Sequence, residues 1–168
     1  MTQRGRREEG LARLRQGLDA FRATEAVFMI PYFSTLLAEV YGEIGQASEG
    51  LRVLDAIDAT HDRYWVAELH RLRGELILKQ QDTGDARDLE AKAEEYFQQA
   101  LVTARERNAK SLELRAATSM SRLWIKQGRR PEARAFMTET FGWFTEGFAT
   151  PDLKEARLLL EDLQRREA

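Results

Sequence analysis

The chain has 168 residues, 43% of them hydrophobic and 32% charged, enough for one domain with a sizeable core. Its net charge of -2, with both signs mixed along the sequence, argues against a general nucleic-acid binder and suits solvated helix faces. There is no cysteine, so disulfides and thiolate metal sites are excluded.

The N-terminal stretch M-T-Q-R-G-R-R-E-E has no apolar h-region, and the longest apolar run, Ala26 to Ile30, is far too short to span a bilayer. The expectation is a cytoplasmic protein with neither membrane nor nucleic acid as partner. Pro31, Pro131 and Pro151 each stand at the start of a helical pattern, where the missing N–H costs little. No long strand-like alternation interrupts these patterns, so the fold class is all-α.

The first helix is expected from about Glu8 to Arg22, with Leu11, Leu14, Leu18 and Phe21 in one stripe. A linker, Ala23 to Ile30, leads to a second helix that begins at Pro31 and carries Phe33, Leu36, Leu37, Val40, Tyr41 and Ile44. The third is short, from about Ala47 to Ala59. Trp65, Leu69, Leu72, Leu76 and Ile77 define the fourth, ending near Gln80. Gln81 to Asp88 is polar and reads as a loop. The fifth helix runs from about Leu89 to Arg107 through Ala93, Phe97, Ala100 and Leu101, and Asn108 and Ala109 break it. The sixth carries Leu112, Leu114, Ala117, Met120, Leu123 and Trp124. The seventh follows Gly128 with Met137 and Phe141. Thr150 as N-cap, Pro151 at N1 and Asp152 against the helix dipole open a last helix with Leu153, Ala156, Leu159, Leu160 and Leu163, which reads as a terminal cap.

A six-residue pattern recurs: G-R-R-E-E-G from Gly5, G-Q-A-S-E-G from Gly45 and G-R-R-P-E-A from Gly128. The glycine ends one helix, and the small residue at the end lets the next helix pack closely. Gly10, Gly50, Ala93 and Ala133 are spaced by 40, 43 and 40 residues, where tetratricopeptide repeats have a period of ~34 and HEAT-like repeats ~40–47. Side-chain spacing decides between them. Ala93, Phe97 and Ala100 match the second helix of a tetratricopeptide repeat; Leu37-Ala38 with Tyr41, Gly74 with Ile77, and Ser121 with Trp124 match the first.

The chain therefore resembles a divergent tetratricopeptide (TPR) array with long helices, a right-handed α-solenoid of TPR-like helix pairs with a C-terminal cap helix. Its expected parts are an N-terminal half-repeat at 5–30, repeats at 31–62, 63–109 and 110–149, and a cap at 150–168. The middle repeat departs from the pattern, with Gln81 where the turn glycine belongs and an insertion near Gly84. A-E-L-H-R-L-R-G-E-L from Ala67, K-S-L-E-L-R-A-A-T-S from Lys110, and F-G-W-F-T-E-G-F from Phe141 followed by T-P-D-L-K-E-A carry a closer resemblance. They look like the C-terminal tetratricopeptide region of large bacterial signalling proteins. In that family the region follows a P-loop ATPase module, often with an adenylate/guanylate cyclase or transcriptional-activator domain. The resemblance implies a non-catalytic protein- or peptide-binding module that regulates such a domain, without cofactors, and it transfers no catalytic residue. The alternative is a small-molecule-sensing domain of a transcriptional activator. A sizeable apolar pocket favours the sensor, an open channel the peptide binder.

The residues with chemical potential are few. His61 and His70 stand nine apart with no H-E-x-x-H, and read as structural. Ser111, Thr118, Ser119 and Ser121 have no His/Asp partner in a recognisable arrangement. Glu8-Glu9 and Glu94-Glu95 point to different helix faces and read as solvent contacts. An enzyme is not expected.

Ligand-facing positions follow from the resemblance: Tyr32, Thr35, Glu39, Gly42 and Glu43 in the first full repeat; Glu68, Arg71, Glu75, Leu78 and Lys79 in the second; Arg115, Thr118, Arg122, Ile125 and Lys126 in the third. With Tyr32 and Glu39 at one end, Arg71, Lys79, Arg115, Arg122 and Lys126 would clamp a carboxylate or an acidic peptide. The competing reading pairs these cations with Glu68, Glu75 or Glu113 as solvated charges. Phe141, Trp143, Phe144 and Phe148 form an aromatic knot that is either an interface anchor or, as the neighbouring Gly142 and Gly147 favour, filling between the last repeat and its cap. At the N-terminus only four residues precede Gly5, so the first helix is expected to lack a partner helix. Its stripe of Leu11, Leu14, Leu18 and Phe21 would leave one flank for another domain or a second copy, giving a homodimer.

Overall fold

The computed structural model describes residues 3–24, 29–57, 65–80 and 85–165. Among these, eight α-helices and no strands are found: α1 (Gln3–Arg22), α2 (Ile30–Glu43), α3 (Ala47–Asp55), α4 (Val66–Leu78), α5 (Ala86–Glu106), α6 (Lys110–Lys126), α7 (Arg130–Gly142) and α8 (Pro151–Arg165). The class is all-α. Most of the loop expected at 81–88, the end of the third helix at Ala59, and His61 lie outside the described residues. Helix α5 begins earlier than its apolar pattern, because the Asp85 carboxylate accepts the Arg87 N–H at 3.0 Å and caps it.

Helix ends follow from local chemistry. Gly45 and Gly128 adopt left-handed backbone, with φ of +79° and +80°. The residues after them return their N–H groups to the preceding helix, Gln46 to the Tyr41 carbonyl at 2.9 Å and Arg129 to that of Trp124 at 2.7 Å. This is the Schellman closure of a helix C-terminus. Asn108, at φ 53°, does the same after α5, with the Ala109 N–H on the Ala104 carbonyl at 2.9 Å. The copy of the pattern at Gly5–Gly10 is no turn: α1 runs straight through it. The arginines and glutamates between those glycines are good helix formers, and a side chain at Gly10 would meet nothing within 4 Å, so Gly10 is not a close-approach point either.

Each helix packs on the next in sequence. In addition α2 packs on α4, α4 on α6, and α6 on α8, whereas the backbones of the odd-numbered helices stay apart among the described residues, α5 meeting α7 through side chains, with Arg105 5.8 Å from the centre of the Phe136 ring. The even helices thus form a row, flanked by the odd ones. Three apolar clusters fill the seams: Leu11, Leu18, Leu37 and Tyr41 between α1 and α2; Ala38, Leu54, Leu69 and Leu76 among α2, α3 and α4; and a large one from Ile77 to Leu163 across α4–α8. Val53 and Leu51 bridge successive clusters.

The close approaches are set by small residues. A Cβ added at Gly50 would lie 3.0 Å from the Ala38 carbonyl oxygen, so α3 rests on the backbone of α2. Gly74 sits mid-helix in α4, where glycine costs about 1 kcal/mol relative to alanine. It is there because the fully buried Phe97 ring lies against it: an added Cβ would come within 2.5 Å of Phe97 Cε1. Ser121 holds the matching position of α6, buried, with its hydroxyl lacking a hydrogen-bond partner among the described residues. Smallness outweighs polarity there. Gly74→Ala is expected to lower stability by about 1–3 kcal/mol through overpacking, measured by urea unfolding. Adding Phe97→Leu, which vacates the ring, should narrow the deficit relative to Phe97→Leu alone.

Candidate functional site

The row of even helices carries a cavity of about 200 Å³, lined by Glu39 of α2, Arg71, Leu72, Glu75, Leu76 and Lys79 of α4, Arg115, Thr118, Ser119 and Arg122 of α6, and Asp152 and Glu155 of α8. It forms because residues at i, i+3/i+4 and i+7 on neighbouring helices face the same side. Arg71, Glu75 and Lys79 make one such ladder; Arg115, Thr118, Ser119 and Arg122 make the next. Five of the seven groove residues proposed from the sequence come together here: Glu39, Arg71, Lys79, Arg115 and Arg122. Tyr32 lies outside the lining, with its ring 5.0 Å from that of Trp65. Lys126 is outside as well, paired with Glu90 of α5 at 2.9 Å.

At the floor is a buried ion pair. Arg71 donates to both carboxylate oxygens of Glu68, at 3.0 and 2.7 Å, with both side chains under a tenth exposed. Burial alone would make the guanidinium easier to deprotonate, but the hydrogen bonds and charge of Glu68, then the charges of Glu75 and Glu39, outweigh it and hold Arg71 firmly protonated. The Ser119 hydroxyl donates to Glu75 at 2.6 Å and accepts a longer bond from Arg71 at 3.4 Å, tying α4 to α6. Arg115 reaches the same Glu68 at 3.1 Å.

Toward the rim the pairs become exposed. Arg115 meets Asp152 at 3.9 Å, and Arg122 meets Glu155 with the two side chains 52% and 45% exposed. Exposed pairs of this kind contribute about 0–1 kcal/mol, whereas breaking a buried pair costs about 3–5 kcal/mol. Floor and rim therefore differ in kind: Arg71 is fixed, Arg115 belongs to both through Glu68 and Asp152, and Arg122 exchanges its partner cheaply. Lys79 lies over Gly42 and has no ion-pair partner among the described residues.

Other residues fall elsewhere. Glu113 is not a groove partner; it is held by Arg105 at 2.7 Å and Lys110 at 2.8 Å, and these bonds keep its carboxyl below the usual range although burial pushes it up. Glu94 is not a solvent contact. It accepts from the Trp124 indole at 2.8 Å and from Arg129 at 3.0 Å, which lowers its pKa against the upward push of burial and clamps the Gly128 turn to α5. Glu95, its neighbour, is exposed. The aromatic knot is divided: Phe141 and Phe144 pack against the core, but Trp143 is 59% exposed and Phe148 is also exposed. The stripe on α1 faces α2, with Leu11 8% and Leu18 4% exposed, Leu14 and Phe21 half-buried, and the Phe21 ring 5.4 Å from Phe33. That packing withdraws Leu11 and Leu18 from any association surface.

No protein-family model matches the chain, and no curated protein matches it. The site has to be read from its own chemistry. Among the described residues no cluster of three or more His, Asp or Glu is placed to hold a metal ion, and no helix is long and apolar enough to cross a membrane. Asp152, Glu155 and Ser119 line the cavity unforeseen. Their signal was available in part: Asp152 and Glu155 are one turn apart and flank Leu153 and Ala156, whose burial turns that edge of α8 toward α6.

His70 stands apart from the cavity, on the α5 side of α4, stacked 6.2 Å from Tyr96 with Nδ1 lacking a partner among the described residues. Burial first, and the charge of Arg73 second, lower its pKa below the ordinary 6.5. A histidine held neutral in the folded state contributes stability that is fully present above the unfolded pKa and is lost as pH falls through the folded one. The urea midpoint should accordingly drop between pH 7.5 and 5, and His70→Gln should flatten that drop.

Proposed function

We propose that the chain is a non-catalytic peptide-binding module, built as a right-handed α-solenoid of tetratricopeptide-like helix pairs capped by α8. Its ligand is a protein segment carrying carboxylates. The alternation of helix contacts supports the solenoid, as do Ala38, Gly74 and Ser121, the small residues at the matching positions of α2, α4 and α6. The observation that carries the binding reading is the convergence of Lys79, Arg115 and Arg122 from two helices on one cavity, above the fixed Arg71. Cations arranged in this way recognise carboxylates through charge-assisted hydrogen bonds.

The cavity lining argues against the small-molecule sensor. Only Leu72 and Leu76 are apolar in it; the remainder is charged or hydroxyl-bearing, whereas small-molecule pockets are predominantly apolar and larger. The resemblance of the 67–76, 110–119 and 141–156 stretches to the tetratricopeptide region of bacterial signalling proteins supports a cytoplasmic, regulatory setting beside an ATPase or cyclase domain. Within that setting the module selects a partner and does no chemistry.

The test is an array of peptides rich in Asp and Glu or ending in a free carboxylate, read by fluorescence anisotropy. Lys79→Glu/Arg122→Glu changes only rim cations, and should weaken the peptides that bind by about tenfold, or ~1.4 kcal/mol. Lys126→Glu, outside the cavity, should leave them unchanged. Equal loss in both variants, or none in either, would refute the site.

A further inference from the structure

The rim arginines already have occupants, and these come from the last helix of the same chain. Asp152 and Glu155 stand one turn apart at the start of α8, and they meet Arg115 and Arg122, which stand two turns apart on α6. The geometry points to α8 as a built-in competitor: its two carboxylates hold the places that the carboxylates of an acidic ligand segment take, and the ligand binds by displacing them. This rests on the peptide-groove reading of the cavity.

Three features make the exchange feasible without unfolding. The carboxylates belong to side chains 41% and 45% exposed, so each can swing into water by rotating about its own bonds. The helix itself stays, since the residues following each carboxylate, Leu153 and Ala156, are buried in the large core cluster. Arg115 stays aimed at the cavity when Asp152 leaves, because it is also held by Glu68 at 3.1 Å. Arg71 takes no part, being fixed to Glu68 at the floor. Lys79, free of an ion pair among the described residues, gives the incoming segment a first contact at the opposite end of the cavity. The partner this fits is an acidic segment with carboxylates spaced along one face, long enough to run from Lys79 to Arg122.

The competitor is removed by Asp152→Asn/Glu155→Gln, which deletes two charges and keeps the side-chain size. The probe is fluorescein-labelled hexaglutamate, followed by anisotropy at 50 mM and 500 mM NaCl. At low salt the variant should bind about five- to tenfold more tightly than the parent chain, and the gain should shrink at high salt. Adding Arg122→Gln should abolish most of it. If the parent chain binds the probe and the variant binds no more tightly, competition by α8 is overturned and the groove stands. If neither binds, both readings fall. A gain that survives Arg122→Gln would reflect net charge alone and would also overturn the proposal, with unchanged thermal melting showing that each variant is folded.

Discussion

A guanidinium taken out of water has to be met by a carboxylate of matching geometry, and Arg71 is met by Glu68 from the preceding turn of the same helix. The pair lies where α4 passes between α2 and α6. Because Glu68 also receives Arg115, and Arg71 also reaches Ser119, the relative placement of α4 and α6 is written into one polar cluster. Apolar packing alone would allow these helices to slide; a buried cluster with few ways of being satisfied does not. The cavity above it inherits its shape from that restriction.

The backs of the even helices are shaped by the opposite device, the removal of side chains. Gly50 on the Ala38 carbonyl and Gly74 under the Phe97 ring bring helix axes close, and Gly45 and Gly128 turn the chain sharply enough to place the next helix there. Close packing behind and charge in front give α2, α4, α6 and α8 two unlike faces. The charged face is the one we propose for binding, and it differs from the floor pair in having Arg122 paired at an exposed rim.

Much of this was legible in the sequence. Helical periodicity identified the elements, although α1 begins five residues before the expected Glu8. Four of the five groove cations implied by the tetratricopeptide resemblance line the cavity, and Lys126 does not. What failed did so for local reasons. The Gly5–Gly10 stretch shares its letters with two real turns, but a glycine bends the chain only where it adopts left-handed backbone, and there the surrounding arginines and glutamates favour helix. Glu94 reads as one of two adjacent surface acids, and nothing in its neighbourhood announces Trp124 and Arg129, which are thirty and more positions away. Glu68 reads as a groove position and as a solvated partner of the cations; the pairing is there, but Glu68 is buried, and burial depends on which turns of α2 and α6 pass beside it. Asp152 reads as a complement to the helix dipole and Glu155 as nothing in particular, and only the packing of α8 on α6 brings them to the arginines.

The central claim is that the Glu68–Arg71 pair is a fixed structural element and not a surface contact. A double-mutant cycle with Glu68→Leu, Arg71→Met and the combination, followed by urea unfolding, tests it most directly. Glu68→Leu strips the buried guanidinium of its bidentate partner and should cost about 3–5 kcal/mol; Arg71→Met leaves Glu68 with Arg115 alone and should cost less, and the double variant should lose at least about 1 kcal/mol less than the sum. Additivity to within about 0.5 kcal/mol would contradict the account.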